Sequence, residues 1–309
     1  MKNVLFGLIL ISLPALTLSG QVSSFNKQDS VAIRQKLEQH VYTLAADSMS
    51  GRPAGTVYEA KAGRYLVNEI RKCIPAEYEF HIREFSFVVN DTTWNTATNI
   101  CVRPDSISKT LLLLTAHYDH LPPGSPYSKS IRKRDECHPG ADDNASGVAM
   151  AMELFRALIS DSSYFGPEPV LLLTSGHEQG MHGTKEWLES SRCVDSISMA
   201  LNFDMIGRMD DDVRILNILM PRNDLNLQSF VQKLKSNSTT YKIKLISRYE
   251  KFYQTDAGLL FKKGIPAMSV NTGMHHDYHR PSDTPDKINL NKMINIFAFL
   301  HSGLCDFYK

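Results

Sequence analysis

The chain has 309 residues, 42% of them hydrophobic and 22% charged, with a formal net charge of +1 at pH 7. This balance excludes a disordered chain and supplies enough apolar side chains for one large core or two small ones. With 34 Lys and Arg against 33 Asp and Glu there is no basic surplus and no acidic tail, so no nucleic-acid partner is expected.

The first element is "MKNVLFGLILISLPALTLSG": Lys2, an apolar run from Val4 to Leu18, then the small residues Ser19 and Gly20. It reads as a secretory signal peptide over residues 1–20, too short to span a bilayer after processing. Retention as an interfacial anchor is the alternative. The residue that follows is Gln21 rather than Cys, so a lipid anchor is not expected. The expected localisation is export, to the periplasm or the extracellular space, with no stable membrane insertion after cleavage. Five cysteines follow, Cys73, Cys101, Cys137, Cys193 and Cys305. An odd number leaves at least one outside any intrachain disulfide, and the lack of a C-x-x-C pair disfavours a thiolate zinc site.

From residue 21 to 309 no repeat, low-complexity tract or Pro/Ser linker divides the chain, which is read as a single domain. "TLLLLTA" (110–116), "VLLLT" (170–174), "MALNFD" (199–204) and "PAMSV" (266–270) are near-continuous apolar runs, the pattern of strands covered on both faces. Between them "SGVAMAMELFRALIS" sets Val148, Ala151, Leu154, Phe155, Leu158 and Ile159 on one helical face. "TDAGLLFKKG" starts with cap residues, Thr255 or Asp256, and ends at Gly264. A last helix from about Asn291 to Phe307 is expected to bury Ile294, Phe297, Leu300 and Leu304. Alternation of strand and helix predicts an α/β fold with three α/β/α layers and a mainly parallel, mixed central sheet. Trp94 and Trp187 read as packing residues. "LPPGSPYSKSIRKRDECHPG" (121–140) is a long polar loop of the kind that is usually functional, and its "RKRDE" cluster reads as a solvated face.

In open α/β sheets the ligand site forms outside the carboxyl ends of the strands. The polar residues of this chain sit there. "LLLLTAHYDH" ends on His117 and Asp119, "VLLLTSGHE" on His177 and Glu178, and "ALNFD" on Asp204. "HPGADDNASG" sets Asp142 and Asp143 before a helix, and "MHHDYHRPSD" adds His275, His276, Asp277 and His279 beyond a strand. Taken singly, each has an ordinary structural reading as a cap or surface residue. Together they would crowd one crevice with negative charge, which is costly without a neutralising cation. Nitrogen and oxygen donors suit Zn²⁺, with Mn²⁺ or Co²⁺ as possible substitutes.

"SGRPAGT", "AHYDH", "GADDNASGVA", "GHEQGMHGT", "NFDMIGR", "GIPAMSVNTG" and "DYHRPSDTPDKI", in this order, resemble the zinc aminopeptidases of the M28 peptidase group, relatives of secreted bacterial leucine aminopeptidases and of glutaminyl cyclases. The resemblance implies two Zn²⁺ ions, with His117 and Asp204 as ligands of one, Glu178 and His279 of the other, and Asp143 bridging both. Asp119 matches the aspartate that orients the ligand histidine, and Tyr278 is a candidate contact to substrate or to a developing oxyanion. The family carries Glu-Glu where this chain carries His177 and Glu178, so His177 stands in the general-base position. An imidazole can accept a proton there, but it lacks the two equivalent oxygens that shuttle one. Three functions stay open: an aminopeptidase acting on peptides with a free N-terminus, a cyclase-like acyl transferase acting on N-terminal glutamine, and a catalytically weakened zinc protein that binds peptides. The cyclase subgroup works with one zinc, whereas His117 and Asp204 are retained here for a second. Residues His120, His182, His275 and His276 have no assigned role at this level. Substrate preference would be set by the loops 121–140, 205–225 and 247–256, which the sequence does not shape.

Overall fold

The computed structural model describes residues 27–89, 93–107, 109–208 and 215–309. The leader-like segment 1–20 lies outside them. Among the described residues no helix is long and apolar enough to cross a membrane. The elements in chain order are α1 (Lys27–Leu44), α2 (Val57–Arg71), β1 (Tyr78–Val89), β2 (Thr93–Pro104), β3 (Leu111–His117), α3 (Gly147–Ser160), β4 (Glu168–Thr174), α4 (His182–Ser190), β5 (Ile197–Phe203), β6 (Ile215–Leu219), α5 (Leu225–Tyr241), β7 (Lys244–Arg248), α6 (Asp256–Lys262), β8 (Ala267–Asn271) and α7 (Leu290–Phe307).

The eight strands form one sheet in the order β1-β2-β4-β3-β5-β8-β6-β7. Its centre, β4-β3-β5-β8, is parallel, and antiparallel pairings join β2 to β4 and β6 to β8. Alternate side chains of the central strands enter opposite layers, as a period of two requires. Leu112, Leu114, Leu171 and Leu173 join the core under α1, α2, α3, α5 and α7. Leu111, Leu113, Val170 and Leu172 join a second core with Trp187 of α4 and Leu260 of α6. The three-layer α/β/α fold is therefore as read from the sequence.

Some expectations change. Trp94 is 72% exposed, because it lies on the strand that starts just after the tip of the β1–β2 hairpin, whereas Trp187 is buried. In α7 it is Met293 and Ile296 that join Phe297, Leu300 and Leu304 in the core; Ile294 is only half-buried, since the inward stripe passes to one side of it. All five cysteines are free thiols. The hairpin β1–β2 and the parallel pair β6–β7 have no counterpart in the sequence reading: β1, β2 and β7 are partly exposed and weakly patterned, and β6 is buried but only five residues long.

One side chain ties three segments to the floor of the strand ends. Arg52, fully buried, donates to the carbonyls of Leu44 (2.6 Å), Tyr118 (2.8 Å), Pro139 (2.7 Å) and Gly140 (3.0 Å). It thereby links the end of α1, the exit of β3 and the loop before α3. Burial pulls its guanidinium down to about 10 against the opposing pull of Asp119, Asp143 and Asp283, and it stays charged at neutral pH. Arg52→Met strands these carbonyls and is expected to lower the unfolding free energy in urea by about 3 kcal/mol or more; a change under about 0.5 kcal/mol would mean that the loops hold themselves in place.

Candidate metal centre

The chain order β3, β4, β5 places β4 on one side of β3 and β5 on the other, so a crevice opens at their carboxyl ends. Each candidate donor leaves a strand there or enters from an adjoining loop. His117 ends β3, Asp204 follows Phe203 of β5, and His177 and Glu178 occupy the turn after β4. Asp143 lies in the short irregular helix Ala141–Ser146 ahead of α3, and His279 in the loop after β8. Gly140 permits this approach: at φ +58°, a Cβ there would sit 2.2 Å from the Asp143 carbonyl oxygen and 2.6 Å from the His120 ring. Asp283 fixes the same turn, its Oδ2 accepting from the amides of Asp142 (3.0 Å) and Asp143 (3.1 Å).

Asp143 faces two ways. Its Oδ1 is 3.5 Å from His117 Nε2, and its Oδ2 is 3.2 Å from His279 Nε2. His117 Nε2 is also 3.7 Å from Asp204 Oδ1, and His279 Nε2 is 3.3 Å from Glu178 Oε2. The five residues read as ligands thus converge. Both imidazoles are pinned through the other nitrogen: His117 Nδ1 donates to the Asp119 carbonyl (3.1 Å) and His279 Nδ1 to the Tyr127 carbonyl (3.1 Å). That leaves each Nε2 aimed at carboxylates, the tautomer a metal ligand requires. The orienting contact of Asp119 with His117 is therefore made by its backbone oxygen; its carboxylate, 3.7 Å from His117 Nδ1, accepts from the amides of His177 (3.1 Å) and Glu178 (3.3 Å) and sets the turn after β4.

Three contributors escaped the sequence reading. His120 donates through Nδ1 to Glu178 Oε1 at 2.9 Å and lies 3.8 Å from Asp143 Oδ2. His177 donates through Nδ1 to Asp256 Oδ2 at 2.7 Å, and Thr184 donates to Asp256 Oδ1 at 2.6 Å. The His177 ring stacks on His117 with centroids 3.8 Å apart and planes 9° off parallel. A ring nitrogen of His177 accordingly lies within 4.8 Å of donor atoms of His117 and Asp204, and His120, Asp143 and Glu178 form a second such group. Of the remaining candidates, Tyr278 stacks on His279 at 3.8 Å beneath the Lys129 ammonium, 4.0 Å from the Tyr278 ring centroid. Burial and the carboxylates of Asp143, Glu178 and Asp204 push its phenol up, so it keeps its proton and can donate. His182 stacks on Phe87, His275 abuts Asp142, and His276 is exposed; none joins either donor group.

The charges fit a divalent cation. Burial favours neutral imidazoles, yet contacts with Asp119, Asp204 and Asp143 raise His117 well above its ordinary value, and Asp143 and Glu178 raise His279 to about 10. Burial and Glu178 push Asp143 up, but His120, His279 and His117 outweigh them and hold it low. Protons on the rings thus stand where a cation would compensate the carboxylates. The Nε2 atoms of His117 and His120 are buried and have no hydrogen-bond partner among the described residues. Separations of 3.2 to 3.7 Å between imidazole nitrogens and carboxylate oxygens match the roughly 3.3 Å between ligands in tetrahedral zinc with 2.0–2.1 Å bonds.

A family model for peptidase family M28 matches residues 99–302. A probable leucine aminopeptidase of Arthroderma benhamiae is 26% identical over 196 residues, which cover 60% of this chain and 51% of that protein. The chain spans about half the length of the curated relatives it matches. Among solved structures, the glutaminyl cyclase of Porphyromonas gingivalis superposes with a TM-score of 0.71 at 16% identity, covering 90% of this chain and 98% of that one. The zinc aminopeptidase of Bacillus subtilis gives a TM-score of 0.70 at 13% identity, covering 88% and 95%. At such identities the structural likeness speaks for the fold.

Protons and a cation compete for the same imidazole nitrogens. Zinc binding to metal-stripped protein near pH 7 is expected to release about one proton per ligand imidazole, and its affinity to weaken as pH falls. Calorimetry in buffers of different ionisation enthalpy measures both; pH-independent binding would disprove the assignment of His117 and His279 as ligands.

Proposed function

The chain belongs to peptidase family M28, and on that premise we propose that it is a zinc-dependent aminopeptidase removing N-terminal residues from peptides. The observation that carries this reading is the position of Asp143, whose two oxygens face two different imidazoles, His117 with Asp204 beside it and His279 with Glu178 beside it. A shared carboxylate between two sets of donors suits a pair of ions, and the retention of both sets favours hydrolysis over cyclisation.

Zinc at these donors supplies Lewis acidity, making water a better nucleophile at neutral pH and polarising a carbonyl. The side chains do the rest. His177 is held through Nδ1 by Asp256, itself fixed by Thr184, so Nε2 is the nitrogen left to accept a proton from water and return it to the leaving amine. Burial and His117 lower this imidazole, but Asp256 outweighs them and raises it to about 9 in the metal-free chain. Cations beside it oppose the proton and bring it back toward a working base. Tyr278 can donate to negative charge developing on the carbonyl oxygen.

Beside Glu178 a cavity of about 320 Å³ opens, lined by Ala54, Val88, Val89, Leu121 and Pro122 and equally by polar groups of Asp119, His120, Ser125 and Gln179. The apolar part of this lining suits an apolar N-terminal side chain, in keeping with the relatives named leucine aminopeptidases. Leucyl substrates should exceed aspartyl or lysyl ones by about tenfold or more in kcat/KM. Localisation outside the cell is the companion proposal, resting on the apolar leader.

A second reading has its own support: His177, within reach of Asp204 and stacked on His117, could itself be a ligand. His177→Gln separates the two. As a base, its loss should lower kcat by about 10² to 10⁴ with zinc content intact; as a ligand, its loss should remove zinc. His177→Glu should also lose activity, since a carboxylate there would stand against Asp256. Glutaminyl peptides losing ammonia with no amino acid released would point to cyclisation, and zinc-loaded protein that binds peptides without turnover would point to a binding protein.

A further inference from the structure

At the opposite end of α3 from Asp143, the carboxyl ends of α3 and α7 carry a second mixed cluster. Asp161 is the C-cap of α3, and His301 and Cys305 stand one turn apart near the end of α7. Cys305 Sγ is 3.7 Å from Asp161 Oδ2 and 4.0 Å from His301 Nε2, and that nitrogen is 3.4 Å from the same carboxylate oxygen. We propose that Asp161, His301 and Cys305 form a further divalent-cation site, one that takes zinc rather than magnesium or calcium.

Geometry and chemistry both support it. The two sulfur contacts are weak hydrogen bonds in the absence of an ion, and all three separations lie within about 0.5 Å of the edges of a zinc tetrahedron, roughly 3.3 to 3.6 Å for bonds of 2.0–2.1 Å to nitrogen and oxygen and 2.3 Å to sulfur. Each ligand is oriented from outside the cluster or by its own helix. Asp161 Oδ1 accepts from the amide (2.8 Å) and hydroxyl (2.7 Å) of Ser163, which leaves Oδ2 to the cluster. The His301 ring lies 10° from parallel with Phe297, and Cys305 follows it at i+4 on the same helical face. Cys305 is buried, while the side chains of His301 and Asp161 keep 14% and 18% of their exposure, a path for an ion and a place for water as fourth ligand.

The three side chains include no Lys or Arg; Lys309, paired with Asp306, supplies some positive charge nearby. Both helices point their negative dipole ends here, next to a carboxylate. Burial and then Asp161 push the Cys305 thiol up to about 12, so it is a poor nucleophile on its own. A bound cation inverts that preference, since a coordinating thiol is deprotonated outright. Sulfur among the donors sets the selectivity: thiolate favours zinc, whereas magnesium and calcium take oxygen. No C-x-x-C spacing announces such a site, because Asp161 and Cys305 are 144 residues apart.

Cobalt(II) exchanged into the full-length protein tests the proposal. The donors at the sheet edge offer only nitrogen and oxygen, so a thiolate-to-cobalt charge-transfer absorption in the near ultraviolet reports a cysteine ligand independently of hydrolytic activity. The wild type should show the band; Cys305→Ser should abolish it, with cleavage of aminoacyl substrates unchanged. Asp161→Asn, which leaves the packed face of α7 intact, should weaken cobalt binding there by at least the roughly tenfold that loss of an outer partner costs. No band in the wild type, a band that survives Cys305→Ser, or unaltered affinity in Asp161→Asn overturns the assignment.

Discussion

Negative charge gathered where the strands end is the constraint around which this chain is arranged. Asp119, Asp142, Asp143, Glu178, Asp256 and Asp283 are held out of water within one crevice, and uncompensated burial of any one of them would be costly. Arg52 offsets part of that charge from below while organising the loops, and the imidazoles of His117, His120, His177 and His279 face the carboxylates from the sides. What remains calls for a small, doubly charged ion, a demand that comes from the side chains alone and that membership of a zinc-dependent peptidase family independently meets.

Much of this was legible in the primary structure because it is local. Runs such as Leu111 to Leu114 announce strands covered on both faces, and a polar residue just past each run marks the functional edge. The rest is not local. Asp256 follows the capping Thr255, so it looks like helix-start chemistry; only the fold brings it 2.7 Å from His177. His120, one residue beyond Asp119, could have pointed anywhere until the loop before α3 closed over it at Gly140. Trp94 misled for the opposite reason. Aromatic residues usually pack, but this one lies on a ribbon with water on one side.

Fold alone does not choose between hydrolysis and cyclisation, since structures named for either chemistry superpose on this one equally well. The distinction lies in a few atoms: whether Asp143 is shared between two ions, and what the His177 imidazole held by Asp256 does beside them. In the proposed hydrolysis the Asp256–His177 pair would follow the logic of the carboxylate that orients a catalytic histidine in serine hydrolases, with water in place of the serine.

The hairpin β1–β2 pairs along its whole length, yet β2 meets β4 only at Ile100, Cys101 and Val102. Most of the ribbon therefore overhangs the body of the sheet, and Val88 and Val89 near its tip form one wall of the cavity beside Glu178. Under the proposed function, recognition of a substrate side chain would rest on this overhang, which is also tied beside the donors where Asn95 donates to the Ala54 carbonyl (2.7 Å) and to Gln179 Oε1 (3.3 Å). Residues of that overhang can be exchanged to reshape the wall while the charge balance at the sheet's edge stays as it is.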